Sequence, residues 1–519
     1  MIKLGDRYFE LSRFLQFAVW FALIFVIKFD TVIEPPVWDA AMGAFPPAIF
    51  LYETNFNVLE LVKQADWWEG GANGRHSFSL WTWYVALVIT VTSSPLVTFA
   101  TLHLTTFLIN AVAISVFVRI LFQYRAAPCL ALISGLFLLL TPLVLVQIGY
   151  IYTESLVMSF GILAWASWHH KREGSAVLFV LLAMSIKLTG VVIALCIGPL
   201  LLLRLFNGFS YKRLLLLISM PLTLWFLISI DGWLGELPPT HGMDWGSQEI
   251  IFNALKAKLK GAFETKYLTV IGMLAALYYV YRQWRLNAGV GFMTLLKRPD
   301  YEIESRFIAL AFTFLFLLGI IALSFQGSLY LYRYAIPMVP FAIVQLVLLA
   351  QLLKHQKALL FAFLFGCVIS VYNHNGALYR ASSSFPAAER THAYQAYYLA
   401  QKTIIKEVEK LDDEVPIYVS REIDYMTSHP MMGYIKKTKP NIKGVYKTRY
   451  NKKLLEDFPG QFYAVVSISW HGGERLKSLI AQAKRSEGWK VDDVYEQKVG
   501  GYEMFIKRVF RVAGSKSAL

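Results

Sequence analysis

The chain has 519 residues, of which 56% are hydrophobic, 15% aromatic and 16% charged. Soluble domains carry about a quarter charged residues, so a string of soluble domains, a disordered chain and a disulfide scaffold are all excluded. The net charge is +15, and about half of it lies in residues 373–519, which hold 24 basic against 16 acidic residues.

The composition reads as a polytopic membrane protein with a tail of ordinary soluble character. A basic tail suits membrane lipid headgroups or acidic glycans, and no nucleic-acid partner is expected. A spanning helix needs about 20 mostly apolar residues. Eleven runs qualify, at roughly 12–29, 96–118, 127–145, 152–168, 174–187, 188–204, 214–231, 266–284, 306–325, 333–353 and 357–373. The first run lacks a small-residue cleavage site, so no cleavable signal peptide is expected. The fifth and sixth are short and form a hairpin around Lys187. All three cysteines, Cys129, Cys196 and Cys367, lie in apolar runs, which leaves none for a structural disulfide in a loop or in the tail.

A further run, Ser77–Val91, sets the sidedness of everything after it. If it lies half-inserted at the outer interface, with Trp81, Trp83 and Tyr84 as anchors, 17 of the 26 basic residues before position 373 fall on the inner side. The short outer turns then hold only Lys187 and Arg333. The positive-inside rule favours this arrangement. It puts the N-terminus in the cytoplasm of what is expected to be a bacterial inner membrane, and the C-terminal domain outside. Residues 1–372 then form the membrane domain, with outer loops at about 30–95 and 232–265, and residues 373–519 form a soluble extracytoplasmic domain. In that tail, helical patterns at Ala387–Leu411 and from Glu474 alternate with strand patterns at 416–420, 462–470, 490–496 and 502–510, which predicts a small α/β domain.

Ionisable groups at a membrane face are costly and usually have a role. Asp39 precedes an apolar stretch with room for an interfacial helix, where it is either a helix cap or a carboxylate placed for chemistry. Glu154 stands at the outer start of the fourth span and is again a cap or a functional acid. Lys187 sits at a tight outer turn and Arg333 at the outer start of the tenth span; each is a cation for an anionic ligand or an interfacial anchor. His76 precedes the interfacial run. Glu34 in the first outer loop, and Glu236, His241 and Asp244 in the second, complete the candidates. Two carboxylates and two cations on one face suit transfer from an anionic lipid-linked donor: cations hold a phosphate leaving group, and a carboxylate acts as general base. Neither a phosphate-binding glycine loop nor a metal-type Cys/His spacing occurs.

These segments, in this order, resemble the membrane glycosyltransferases of the GT-C fold, especially the bacterial relatives of protein O-mannosyltransferases and the aminoarabinose transferase of lipid A. The resemblance covers about residues 10–372. It runs through VWDAAMG around Asp39, RHSFSLW around His76, YTESLVMSF around Glu154, SIKLTG around Lys187 and RYAIP at Arg333 and Tyr334. It implies a GT-C-like fold of about eleven transmembrane helices with a C-terminal soluble α/β domain, and a polyprenyl-phosphate sugar as donor. The acceptor is a lipid, glycan or protein hydroxyl, and transfer at the outer face inverts the anomeric carbon. Asp39 is then the base, Lys187 and Arg333 hold the phosphate, and Glu154 orients the acceptor or supports Asp39. His76, Tyr334, Glu34, His241 and Asp244 line the substrates, and the second outer loop closes over them. No cofactor is expected, although a divalent metal is left open. The reading set against this is a transporter or flippase of a lipid-linked glycan.

Overall fold

The computed structural model describes residues 13–36, 40–64, 79–151, 153–206, 209–233, 278, 281, 336–337, 339–374, 393–445, 455, 458–467, 473–499 and 502–512. It falls into two compact units. The first comprises residues 1–31, 78–81 and 103–374, and the second residues 32–77, 82–102 and 375–519. The division therefore differs from one drawn between a membrane domain and a tail, because most of the first outer loop groups with the tail.

The described helices before the tail, in chain order, are α1 (Arg13–Ile27), α2 (Phe45–Glu53), α3 (Val58–Gln64), α4 (Leu80–Thr92), α5 (Pro95–Gln123), α6 (Pro128–Leu140) and α7 (Pro142–Ile148). They continue with α8 (Glu154–His169), α9 (Glu173–Ile186), α10 (Val191–Phe206), α11 (Tyr211–Trp233), α12 (Val339–Leu352) and α13 (Gln356–His374). They follow nine of the eleven apolar runs. Among the described residues only α5 is long and apolar enough to cross a membrane alone, and α6 with α7 makes a second if the pair counts as one span. Helix length thus leaves the number of spans open. The runs at 266–284 and 306–325 lie almost wholly outside the described residues.

Proline sets several boundaries. Pro95, Pro128 and Pro142 each open a helix, where the missing N–H costs nothing. The run at 127–145 reads as one span, yet it is bent by 65° between α6 and α7. Thr141, held extended by the proline after it, takes φ −54° and ψ 120° and ends α6. Among the described residues the tenth run is helical from Val339, with Pro340 in the first turn, after a short turn at Ile336–Pro337.

In the first unit the helices pack through small residues and isolated polar ties, as expected where lipid offers no hydrophobic drive. A Cβ at Gly135 would lie 2.5 Å from Val118 and 3.0 Å from Trp20, so α1, α5 and α6 approach closely there. Gly366 on α13 meets Phe137 in the same way, and Phe137 stacks on Phe363 at 4.6 Å. Arg119 donates to Gln16 at 2.8 Å, Gln351 to the Tyr124 carbonyl at 2.9 Å, and Ser159 to Asn110 at 3.0 Å. Outward faces stay apolar: Phe14, Val26, Phe206, Leu215, Trp225, Phe361 and Phe365 are all exposed. In α4 the residues Trp81, Val85 and Ile89 share one buried face, while Leu80, Leu87 and Val91 are exposed. Trp81 is thus a core residue rather than the interfacial anchor expected of it.

The tail carries α14 (Ala393–Glu409), β1 (Ile417–Val419), α15 (Arg421–Met426), β2 (Ile442–Gly444), β3 (Gln461–Val466), α16 (Gly473–Arg485), β4 (Trp489–Val499) and β5 (Tyr502–Arg511). The sheet order is β2-β1-β3-β5-β4; β1 pairs parallel with β2 and β3, and the rest is antiparallel. The apolar face of α16, formed by Leu476, Leu479, Ile480 and Ala483, packs on Phe462, Ala464, Val466 and Val509. Each fully buried large side chain there contributes about 1.5–3 kcal/mol.

The hairpin of α9 and α10 turns on Gly190. A Cβ at this position would sit 2.4 Å from the carbonyl carbon of Ala183, a backbone atom that cannot swing aside. Gly190→Ala is expected to cost about 1–3 kcal/mol, read as a lower melting temperature in detergent. Gly174 faces open space, so Gly174→Ala should leave the melting temperature unchanged. Equal behaviour of the two variants would contradict the packing at the turn.

Candidate functional site

Glu154 is the first residue of α8 and is buried. Tyr150 and Ile151 before it are also buried, so its carboxylate faces protein rather than bulk water. A carboxylate in the first turn of a helix is favoured by the helix dipole. Thr153 before it makes no side-chain capping bond, and its hydroxyl points instead to Glu154 Oε2 at 3.4 Å.

Lys187 ends α9 with an extended backbone, φ −155° and ψ 137°. The turn Leu188–Gly190 follows, closed by the Gly190 N–H donating to the Lys187 carbonyl at 2.8 Å. This turn swings the lysine out of the helical path. Its Nζ donates to Glu154 Oε1 at 2.6 Å, with side chains 12% and 1% exposed. The two residues that the sequence sets 33 positions apart are therefore one largely buried ion pair, its carboxylate fully inside and its ammonium stem at the edge. A helix cap at Glu154 and an interfacial anchor at Lys187 would each stand alone, whereas the two side chains are bonded to one another.

Antiparallel packing puts the far ends of these helices together as well. Glu173, which opens α9, accepts from Arg204 at 2.9 Å and from Arg213 at 3.0 Å, and Arg204 lies over the Trp168 ring at 4.3 Å. The α8–α11 group is thus tied by charge at both ends, with apolar helix between.

Lys28 drew no notice in the sequence because it closes an apolar run. It follows α1, is 4% exposed, and its aliphatic stem lies against Gly149: a Cβ there would be 2.9 Å from Cδ and 3.1 Å from Nζ. The signal available was a lysine inside the 12–29 run. A buried lysine therefore lies against the chain five residues before Glu154.

In the second unit, Glu34 stands near Tyr398 of α14. Burial, and then the Glu34 charge, push the Tyr398 phenol far above its ordinary value. Asp39 lies outside the described residues, as do His76, His241, Asp244, Arg333 and Tyr334. The chain on either side of Asp39 is described: Glu34–Pro36 before it, and a π-helical turn at Ala40–Ala44 leading into α2 after it. Among the described residues no group of three or more His, Cys, Asp or Glu side chains forms a metal-binding cluster. Chemically, the Glu154–Lys187 pair offers a desolvated ammonium, held in place by a carboxylate, to an anionic group.

No family model matches the sequence, and no curated protein matches it. Among solved structures, the chain is similar to that of the lipid A aminoarabinose transferase ArnT from Cupriavidus metallidurans bound to undecaprenyl phosphate. Identity is 12%, the TM-score is 0.50, and the match covers 96% of this chain and 98% of that one. Against ArnT from the same organism in the apo state the values are 12%, 0.48, 94% and 97%. At this identity the likeness is one of fold, and the fold is that of the GT-C enzyme ArnT, as the order of motifs led one to expect.

A charge left alone in the interior is expensive, whereas an apolar pair of similar volume is not. Glu154→Met and Lys187→Met should each destabilise the chain by about 3–5 kcal/mol, and the double variant should recover most of that loss. Thermal unfolding in detergent measures the cycle; harmless single variants would show that the pair is not buried as described.

Proposed function

We propose that this chain is a membrane glycosyltransferase that takes its sugar from a polyprenyl-phosphate donor. The observation that carries the proposal is a buried, carboxylate-held lysine at one end of a helix group, in a fold matched over 96% of the chain by an ArnT structure bound to undecaprenyl phosphate. The exposed apolar faces of α1, α10, α11 and α13 support a membrane setting.

In this reading Lys187, with Arg333, neutralises the donor phosphate. Glu154 keeps the Lys187 side chain ordered in the absence of donor and yields part of its ammonium when the phosphate enters. Desolvation strengthens that attraction, and no dipoles need to reorganise during reaction. Asp39 removes the proton from the acceptor hydroxyl as its oxygen bonds to the anomeric carbon. The bond from that carbon to the phosphate oxygen breaks, and its electron pair leaves on the lipid phosphate, with inversion at carbon. Glu34, His76, Tyr334, His241 and Asp244 serve substrate binding. The tail and the reacting groups face the outside of the cell membrane.

Native mass spectrometry of the purified chain is expected to show a co-purifying polyprenyl monophosphate; a complete lipid-diphosphate oligosaccharide in its place would point to a flippase. Asp39→Asn should lower transfer from radiolabelled polyprenyl-phosphate sugars, extracted from the source membranes, by about 10²–10⁴-fold, with lipid binding retained. Asparagine caps helices as well as aspartate does, so a pure capping role predicts full activity for the same variant. A C-terminal alkaline phosphatase fusion should be active in a bacterial host, and a silent fusion would reverse the assigned sidedness.

A further inference from the structure

Within the second unit, two parts of the sequence nearly 400 residues apart are bonded to one another. The hydroxyl of Tyr434 donates to the carbonyl of Pro36 at 2.9 Å, in a buried setting. Gly433 beside it has φ +78°, a conformation that favours glycine. A Cβ there would lie 2.5 Å from Phe99 and 3.2 Å from Pro35. The tail backbone therefore turns directly against the loop.

His429 adds a polar bond. Its Nδ1 accepts from the Met431 N–H at 3.0 Å, so the ring proton is on Nε2, which reaches Glu53 Oε1 at 3.1 Å. Helix α15 packs against the Ala40–Ala44 turn, where small side chains permit close approach. The rings of Tyr398 and Tyr434 meet edge to face at 6.3 Å, and Lys402 donates to the Tyr398 hydroxyl at 3.2 Å. Tyr398 in turn feels the charge of Glu34.

These contacts bracket one short stretch. Glu34–Pro36 are gripped before it and Ala40–Ala44 after it, all by residues between 398 and 434. Between them stand Val37, Trp38 and Asp39. We infer that the Gly433–Tyr434 corner of the tail, with His429, is a positioning device for the Asp39 segment, so that the tail governs the rate of transfer and not the affinity for donor lipid. The link to rate rests on the proposed function; the grip on the segment does not. A rigid hold at both flanks is what a base needs, since misplacement by about 1 Å can cost roughly 100-fold in rate.

The test uses the full chain in detergent with three variants. Tyr434→Phe removes one hydroxyl, Glu53→Gln weakens the hydrogen bond from His429 Nε2 at its exposed end, and Tyr495→Phe removes a hydroxyl on β4 as a control. Hydrogen exchange by mass spectrometry reads the peptides covering 34–53, turnover is followed with an undecaprenyl-phosphate sugar, and binding is followed with undecaprenyl phosphate itself. Tyr434→Phe is expected to speed exchange in 34–53 by about tenfold and to lower kcat by about 10–100-fold. Undecaprenyl phosphate binding should stay within about twofold of the parent. Glu53→Gln should do the same more weakly, and Tyr495→Phe should do neither. Unchanged exchange in both Tyr434→Phe and Glu53→Gln overturns the proposal, and so does faster exchange with unchanged kcat. A parent chain that transfers no sugar overturns the proposed function, and the positioning role in catalysis with it, while the exchange data still decide whether the tail holds the segment.

Discussion

The bond between Lys187 and Glu154 is the constraint on which the rest of the first unit turns. Two charges withdrawn from water are tolerated only in good geometry, and that geometry needs three separate features. Helix α8 must begin at Glu154. Helix α9 must stop at Lys187 rather than run on. The turn after it must be tight enough to bring α10 back alongside, which the missing side chain of Gly190 allows. Helix α9 accordingly ends after 14 residues, just before the lysine of that pair.

The acidic candidates are divided between the two units. Glu154 is buried and held by a lysine at the end of a neighbouring helix. Residues 32–77 group with the tail, where Pro36 accepts from a phenol, Pro35 lies beside a close-packed glycine and Glu53 meets an imidazole. The first environment favours ligation of an anion. The second fixes the chain at Pro36 and at the Ala40–Ala44 turn.

Much of the plan was legible before any coordinates. The apolar runs located the helices, and breaks in them exposed Glu154, Lys187 and the strand–helix alternation of the tail. What stayed hidden was of two physical kinds. Contacts between distant positions leave no local trace, so the pairing of Glu154 with Lys187 and of Tyr434 with Pro36 could not be read from periodicity. Elements of three to six residues, such as β2 and α15, are too short for a pattern to form. The 65° bend at Thr141–Pro142 is different, because the dipeptide was in view and hydropathy alone overrode it. Trp81 was misplaced for a similar reason: a tryptophan near a membrane edge suits both an interface and a core, and only its neighbours at Val85 and Ile89 decide for the core. Lys28 hid because its stem is as apolar as the helix that precedes it.

The span of the Tyr434–Pro36 bond has a consequence for biosynthesis. Its partners are 398 residues apart, and chains grow at about 5–20 residues per second. The first loop therefore leaves the ribosome roughly 20–80 s before the tyrosine that will hold it. Throughout that interval the stretch around Pro36 waits without its partner, while the intervening helices are made one after another. A nascent chain, or one cut short before residue 434, can place its apolar helices and still lack the grip on its acid. Synthesis of the chain past residue 434 thus becomes the step that finishes this part of the fold.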